Sequence, residues 1–318
     1  MTIRALRLGT RGSRLALWQA QTVTNRLQAA GARVEIIVIK TSGDRLQTRP
    51  LSESGTKRLF VKEIEDALLG GDVDLAVHSA KDMPATLPDG LDVAAALPRE
   101  DPRDAIVLPA SRDAGREQEL ATALSVLREH PSIGTSSVRR RAQLASVIHG
   151  ATFAAIRGNV DTRLRKLDDG EYDGLVLAAA GMRRLGVDSR ISATLPFDVC
   201  VPAPGQGIIA VEIRTDDDET CQAVRRLHDP ASGAALRAER ALVEALGGGC
   251  QLPLGGIAVP DGDSLEMQAV VISLDGGRVI RAHGSGSTTD PDALGRRVAE
   301  DLAASGGAGI LEEVRRGQ

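Results

Sequence analysis

One cysteine of this chain occupies an unusual sequence setting. Cys250 follows three consecutive glycines in EALGGGCQLPLGG, residues 244–256. Buried cysteines normally lie among apolar side chains, whereas glycines permit positive φ angles and leave open space beside the next side chain. A thiol presented in this way could act as a nucleophile. The same residues also fit a glycine helix stop followed by an incidental loop cysteine, and the segment alone does not decide between the two.

An adjacent pair of opposite charges offers acid–base chemistry. Lys81 and Asp82 lie in HSAKDMP, residues 78–84, directly after a run typical of a buried strand. A partly buried carboxylate held ionised by nearby cations can stabilise a developing positive charge or exchange a proton with it. The plainer interpretation is a loop ion pair, or an Asp82 carboxylate that accepts hydrogen bonds from turn amides before Pro84.

Glycine, hydroxyl residues and arginine recur in turns that follow predicted strands. These turns are GTRGSR (9–14), HSAKDMP (78–84), GTSSVRRR (134–141), RGNVDTR (157–163) and AGMRRLG (180–186). Turn amides and hydroxyls bind anions, and a guanidinium holds a carboxylate or phosphate with two parallel hydrogen bonds. Ligands of open α/β sheets bind beyond the carboxyl ends of the strands. We therefore expect one anion-binding cleft, although each arginine taken singly fits a solvated surface residue. The arginines expected to line the cleft are Arg11, Arg139, Arg140, Arg157, Arg163 and Arg184.

Three structural units would position these turns. Strand-like runs and amphipathic helices alternate in two successive stretches, which predicts parallel sheets covered on both faces. Charged or proline-rich segments at 98–104 and 201–207 are typical of crossings between the two units. Two helices and three strand-like runs follow, which predicts a smaller α+β domain with an antiparallel sheet. The predicted division is domain 1 over 1–100 and 203–220, domain 2 over 105–199 and domain 3 over 222–318, with a cleft between the first two.

The composition excludes several classes of protein. The 318-residue chain is 42% hydrophobic and 26% charged, which is ordinary for a globular protein. No apolar run approaches the ~20 residues of a membrane helix, and the first residues lack the apolar core of a signal peptide. A net charge of −4 and 2% aromatic residues give nucleic-acid binding no basis. Three scattered cysteines are too few for a disulfide framework, which favours the reducing cytoplasm as the location. The five histidines do not have the spacing of metal ligands, so the sequence does not support a metal site.

Six motifs occur in the order expected of one enzyme family. They are HSAKDMP, DPRDA, GTSSVRR, RGNVDTRL, VPAPGQG and GGGCQLPLG. Through these motifs, from about Arg7 to the C-terminus, the chain resembles porphobilinogen deaminase, also called hydroxymethylbilane synthase. The resemblance implies a transferase of tetrapyrrole (porphyrin and haem) biosynthesis that joins four porphobilinogen molecules head to tail. Ammonia leaves at each step, and water frees linear hydroxymethylbilane.

The resemblance also implies a fold, a setting and partners. The family has three domains, of which the first two resemble hinged periplasmic binding proteins and the third carries a cofactor loop. A monomeric cytoplasmic enzyme is expected, with porphobilinogen as its substrate and without nucleic-acid, membrane or metal partners.

Individual residues match the family's site. Cys250 matches the cysteine that carries a dipyrromethane cofactor through a thioether, and Asp82 matches the catalytic aspartate. Each pyrrole brings two carboxylates, which suits an arginine-lined cleft. Loss of ammonia leaves a positive charge shared with the ring nitrogen, which a carboxylate at that N–H stabilises. Cofactor contacts are implied for Ser13, Lys81, Asp82, Ser136, Ser137, Arg139, Arg140, Arg157, Gly158 and Arg184. Substrate contacts are implied for Arg11, Ser13, Lys57, Phe60, Arg157, Arg163, Arg184 and Gln206.

Some positions depart from the family pattern. SESGTKRLF, residues 52–60, has Thr56 and Arg58 where glycine is more usual, so Lys57 and Phe60 are carried over only as lid contacts. Arg14 stands where proline is frequent. Two other functions fit parts of the sequence. One is a non-catalytic two-lobed anion-binding protein, and the other is a cysteine hydrolase for which no histidine motif supplies the base.

Overall fold

The computed structural model describes residues 5–41, 61–112, 117–248 and 252–316. These residues form two five-stranded sheets with helices on their faces and one three-stranded sheet. The predicted class is confirmed as two doubly wound α/β units with a smaller α+β unit at the C-terminal end. The residue boundaries predicted for the three domains stay a prediction.

The first unit begins with a strand, a capped helix and a second strand. The helix begins where the Ser13 hydroxyl accepts the amide hydrogen of Ala16 at 3.2 Å, and it ends just before Gly31, whose φ is 91°. The elements of this unit before the first crossing are β1 Ala5–Thr10, α1 Arg14–Ala29, β2 Arg33–Val38, α2 Lys62–Leu69, β3 Leu75–Ser79 and β4 Leu91–Ala96.

The second unit repeats the alternation of strand and helix. Its core contains apolar residues of the strands and of the helices packed on them. Its elements are β5 Asp104–Val107, α3 Leu120–Ser125, β6 Ser132–Gly134, α4 Val138–Leu144, β7 Thr152–Ala154, α5 Val160–Asp168, β8 Gly174–Ala178, α6 Ala179–Arg184 and β9 Ala193–Thr194.

The chain then returns to the first sheet as β10, Ile209–Arg214. The strand orders are β2-β1-β3-β10-β4 in the first sheet and β7-β6-β8-β5-β9 in the second. β10 pairs antiparallel with β3 and β4, and β5 pairs antiparallel with β8 and β9. In each sheet the opposing strand is the one that arrives from the other unit. The prediction of wholly parallel sheets was wrong at these two strands, because a crossing sets strand direction and hydrophobic periodicity does not encode it.

The third unit confirms the predicted antiparallel sheet. Its strands β11 Leu254–Asp261, β12 Ser264–Ile272 and β13 Val279–Ser287 pair in that order. The helices over Pro230–Ala245 and Pro291–Leu302 pack on this sheet through a continuous apolar cluster. No helix of the described ranges is long and apolar enough to cross a membrane. The remaining elements in chain order are α7 Asp218–Arg225, α8 Pro230–Ala245, β11 Leu254–Asp261, β12 Ser264–Ile272, β13 Val279–Ser287, α9 Pro291–Leu302 and α10 Ala308–Arg316.

Candidate active site

Asp82 lies on a turn at the end of a buried strand. The last residue of β3, Ser79, accepts a hydrogen bond on its hydroxyl from the Gln19 side-chain amide at 2.8 Å. Residues Ala80–Asp82 then form one turn of 3-10 helix, closed by the Met83 amide, which donates to the Ala80 carbonyl at 3.2 Å. Met83 is buried, whereas the Asp82 side chain is exposed and lines a cavity. The turn therefore places the Met83 side chain in the core and the Asp82 side chain at the surface of the cavity.

A cavity of about 360 Å³ lies between the first and second units. Its walls are formed by residues that follow β1, β3, β6, β7 and β8, which are the carboxyl ends at which ligands of α/β sheets bind. Its size falls within the ~300–1,000 Å³ of small-molecule sites. The residues predicted from the sequence that line it are Arg11, Ser13, Lys81, Asp82, Ser136, Arg140, Arg157, Gly158, Arg163, Arg184 and Gln206.

Two of the predicted residues lie behind the cavity wall. The Ser137 hydroxyl caps α4 by accepting the Arg140 amide hydrogen at 3.3 Å, and neither Ser137 nor Arg139 lines the cavity. Lys57, Phe60 and Cys250 lie outside the described residues. The roles implied for these residues stay predictions.

A buried carboxylate behind the cavity wall pairs with two of the arginines. Asp104, the fully buried first residue of β5, forms ion pairs with Arg139 at 2.8 Å and with Arg140 at 2.7 Å. It also accepts hydrogen bonds from the Gln206 amide at 2.9 Å and from the Cys200 thiol at 3.4 Å. Burial alone would raise the pKa of this carboxyl, but the two guanidiniums hold that pKa well below its usual range. Burial and the Asp104 charge raise the pKa of the Cys200 thiol to about 12.

Sequence reasoning did not assign Asp104 to the site. The motif DPRDA was noted, and an acidic residue at the first position of the apolar run DAIVL is the signal that could have identified it. Buried carboxylates are normally paired with cations, so an acid at a buried strand position predicts a cationic partner. The sequence does not say which arginines supply that partner.

Two other cations of the wall, Arg163 and Arg184, hold main-chain carbonyls rather than acids. Arg163 donates from Nε to the Gly158 carbonyl at 2.8 Å, and burial together with the positive charge of Arg140 lowers its pKa to about 10. Arg184 donates to the Gly207 carbonyl at 2.6 Å, and burial lowers its pKa to about 10 as well. Its guanidinium carbon also lies 5.8 Å from the centre of the Trp18 ring, within the range of a cation–π contact. Both side chains remain charged at neutral pH, and their lowered pKa values indicate positive charge that nearby acids do not balance.

Lys81 has a lower pKa than either of these arginines. Burial and the positive charge of Arg140 lower it to about 8, against the opposing effects of the Asp82 and Asp104 charges. The ammonium donates to the side-chain carbonyl of Gln206 at 3.2 Å. The Gln206 amide in turn donates to the Pro102 carbonyl at 2.7 Å and to Asp104. Gln206 therefore links the two crossing segments to the turn that carries Asp82.

Arg14 bridges the two units at the edge of the cavity. From the first turn of α1 it donates to the Asp161 carboxylate at 2.8 Å and to the Leu185 carbonyl at 3.3 Å, both in the second unit. The Arg14 and Asp161 side chains are 57% and 48% exposed. The arginine that replaces the family's frequent proline thus forms a contact across the cleft that the sequence did not predict.

The segment that leads to Cys250 is held at its start. Helix α8 ends with Leu246 as its C-cap, and Gly247 adopts a φ of 60°. The Arg315 guanidinium of α10 donates to the carbonyls of Leu246 and Gly247 at 2.5 and 2.9 Å. After Cys250, Leu252 and Leu254, the latter the first residue of β11, are buried in the core of the third unit. The described residues on both sides of Cys250 are therefore anchored in this unit.

Comparison with known proteins identifies relatives along the whole chain. Residues 6–222 match the family described as porphobilinogen deaminase, dipyromethane cofactor binding domain, and residues 234–304 match the porphobilinogen deaminase C-terminal domain. A porphobilinogen deaminase of Roseiflexus castenholzii is 46% identical over 96% of this chain and 98% of its own. One of Syntrophobacter fumaroxidans is 44% identical over 99% of this chain and 100% of its own. Among solved structures, a periplasmic substrate-binding protein of an ABC transporter from Coxiella burnetii is 16% identical, with a TM-score of 0.42 over 72% of this chain and 94% of its own.

Proposed function

The chain belongs to the porphobilinogen deaminase family and is a transferase of tetrapyrrole biosynthesis, and we propose that the cavity around Asp82 is where it works. It joins four porphobilinogen molecules head to tail, with loss of ammonia at each step, and so acts as a hydroxymethylbilane synthase. Each step breaks the bond between a methylene carbon and its amino group and forms a bond from that carbon to the next ring.

The observation that supports this site most directly is a set of cationic side chains that line the cavity with Asp82 and form no ion pair with a carboxylate among the described residues. Lys81, Arg163 and Arg184 hold neutral carbonyl groups, and burial lowers the pKa of each. An anionic ligand would supply the missing negative charge, and a pyrrole with an acetate and a propionate group brings two such charges. Arg11 and Arg157 add two more guanidiniums to the same wall.

Asp82 is suited to stabilise positive charge on the substrate ring. Ammonia loss leaves a cation shared between the methylene carbon and the ring nitrogen, and the ring N–H can donate to the Asp82 carboxylate. The turn holds the carboxylate in place before the charge develops. The proton needed by the departing amine and the proton released by the attacked ring can both pass through Asp82.

The wall also fits the family's dipyrromethane cofactor. When bound, this group supplies two linked pyrroles, whose free ring carbon receives the first substrate unit. Its carboxylates match the donor set of Lys81, Arg140, Arg157 and Arg184, and the Ser13 and Ser136 hydroxyls add neutral hydrogen-bonding groups. We propose Cys250 as the residue that carries the group through a thioether.

Finer features of the enzyme are also proposed. We propose that it acts as a monomer in the cytoplasm and that the domains divide as predicted from the sequence. We also propose that Ser137 and Arg139, behind the wall, and Lys57 and Phe60 act on the same ligands.

Two measurements test the proposed function. The purified protein should have an intact mass that exceeds the sequence mass by a dipyrromethane, and it should release ammonia from porphobilinogen and form a product that oxidises to a uroporphyrin. Cys250→Ser should abolish the mass gain and turnover, whereas Cys221→Ser, a control at a partly buried free cysteine, should leave both unchanged. Asp82→Asn should bind porphobilinogen but turn over about 10²–10³-fold more slowly. An unmodified mass with reversible anion binding and no ammonia release would instead indicate a binding protein.

A further inference from the structure

The position of Asp82 is fixed through the backbone rather than through its side chain. Within the described residues, no hydrogen bond or ion pair holds the Asp82 carboxylate, although its charge acts on Lys81 and Arg163. On its N-terminal side the backbone is fixed by strand pairing, because Ser79 pairs with Ile209 and the Ala80 amide donates to the Ile208 carbonyl at 3.0 Å. The location of the carboxylate therefore also depends on what holds the chain on its C-terminal side.

One arginine of the third unit holds that side. Arg240, on helix α8, donates from Nη1 to the Pro84 carbonyl at 2.9 Å and from Nη2 to the Ala85 carbonyl at 2.7 Å. The two acceptors are consecutive, so the planar guanidinium fork grips the chain at two points and resists its rotation. Pro84 is two residues from Asp82. Any displacement of the Pro84 and Ala85 carbonyls therefore moves the Asp82 carboxylate, because only a short stretch of backbone separates them.

The surroundings of Arg240 are built to keep it in place. Burial lowers its pKa, and the negative charge of Glu212 opposes that effect. Glu212 lies on β10, is fully buried, and forms a 2.9 Å contact with His78 of β3. A buried acid on the first sheet thus favours the charged guanidinium next to the strand that leads to Asp82.

Arg240 lies on the helix that leads into the glycine–cysteine loop. Cys250 is ten residues further along the chain, so one helix contributes both the grip on the Asp82 turn and the approach to the cofactor cysteine. We propose that Arg240 is a positioning residue, which fixes the Asp82 turn relative to helix α8. This inference rests on the function proposed above, with Asp82 as the acting carboxylate and Cys250 as the anchor.

The test compares Arg240→Ala and Arg240→Lys with Arg237→Ala. Arg237 lies on the same helix, is exposed and pairs with Asp292 within the third unit, so it is a matched control. In Arg240→Ala the cofactor mass should remain, KM for porphobilinogen should change less than about threefold, and kcat should fall by about 10–100-fold, because small misplacements of a reacting group cost about this much. Arg240→Lys should retain an intermediate kcat, because an ammonium keeps the charge but loses the fork. Arg237→Ala should match the wild type.

A second measurement does not depend on turnover. Hydrogen exchange of amides 83–90 should be faster in both Arg240 variants than in Arg237→Ala, with no difference in β13. A kcat for Arg240→Lys equal to that of Arg237→Ala, together with equal exchange, would overturn the proposal, and so would a loss confined to KM. If the wild-type protein released no ammonia, the proposed function would fail on its own, while the exchange comparison would still show whether Arg240 holds the turn.

Discussion

Two groups of arginines lie at or directly behind the wall of the same cleft and differ in what balances their charge. Arg139 and Arg140 share the buried Asp104 carboxylate, and their guanidiniums are committed to it and to main-chain carbonyls. Arg163 and Arg184 hold main-chain carbonyls and no carboxylate among the described residues. Part of the charge of the first group is balanced within the fold, whereas the charge of the second remains available to a ligand. Arginines that look alike in sequence can therefore contribute differently to stability and to binding, according to the acid beside them.

The largest expected effect comes from removing the shared acid. Asp104→Asn leaves two buried guanidiniums without a counter-charge, and breaking a buried pair typically costs about 3–5 kcal/mol. Urea unfolding followed by circular dichroism should show this loss. Asp168→Asn is the control, because its pair with Arg190 is partly exposed and its loss should cost no more than about 1 kcal/mol. Equal unfolding midpoints for the two variants would contradict the difference drawn between the two groups.

Removing an arginine of the second group should lower activity rather than stability. Arg163→Met should lower kcat/KM by about 10–100-fold, which corresponds to a lost charged hydrogen bond of about 1.5–3 kcal/mol. Its unfolding midpoint should stay the same or rise, because burial and Arg140 disfavour the Arg163 charge in the fold. Arg165→Met, at an exposed position of the same helix, is the matched control. A destabilised Arg163→Met with normal kcat/KM would place this arginine with the first group.

A pH titration should separate activity from stability at Lys81. Its folded pKa of about 8 lies below the ordinary lysine value, so the ammonium is lost as pH rises through 8, and carboxylate binding weakens with it. Between pH 8 and the ordinary value the unfolded chain binds the extra proton, so the contribution of this group to stability rises with pH over that window. We expect kcat/KM to fall above pH 8 while the wild-type unfolding midpoint rises relative to that of Lys81→Met.

Lys81→Arg is the check on this assignment. Arginine stays charged through this range, so the alkaline fall in kcat/KM should move to higher pH in the variant. An unchanged fall would assign the titration to another group.

The smallest effect is expected at the contact across the cleft. The Arg14–Asp161 pair is about half exposed, and such pairs contribute about 0–1 kcal/mol. Arg14→Asp alone should change KM by less than about fivefold, and the change should shrink as salt is added. The double variant Arg14→Asp with Asp161→Arg should restore the wild-type KM if the pair acts as an ion pair between the units. Failure of this restoration would indicate that Arg14 contacts the substrate directly.

Local features of the fold and of the site were predictable. The start of α1 at Ser13, its end at Gly31 and the placement of HSAKDMP after a buried strand all depend on neighbouring residues. The gathering of the turns into one cleft followed from their shared position at the carboxyl ends of strands. These predictions needed only the alternation of strands and helices.

Features that join distant segments were not predictable. Asp104 contacts Arg140, Cys200 and Gln206, which come from three separate stretches of the chain. Hydrophobic periodicity does not encode these contacts. The antiparallel direction of β5 and β10 depends on crossings between units, and the double hydrogen bond from Arg240 to residues 84 and 85 joins the third unit to the first. In each case the contact joins segments far apart in the sequence and is defined only by the assembled fold.

The insertion of β10 beside β3 has a consequence for biosynthesis on the ribosome. The strand that ends at Ser79 gains its neighbour only when Ile209 has been made and the intervening unit has emerged. Until then the nascent first sheet has an open edge at the strand that leads to its acid, and exposed edges are prone to pair with other chains. The synthesis of this protein therefore delays the assembly of its reactive turn until after the second lobe has been translated.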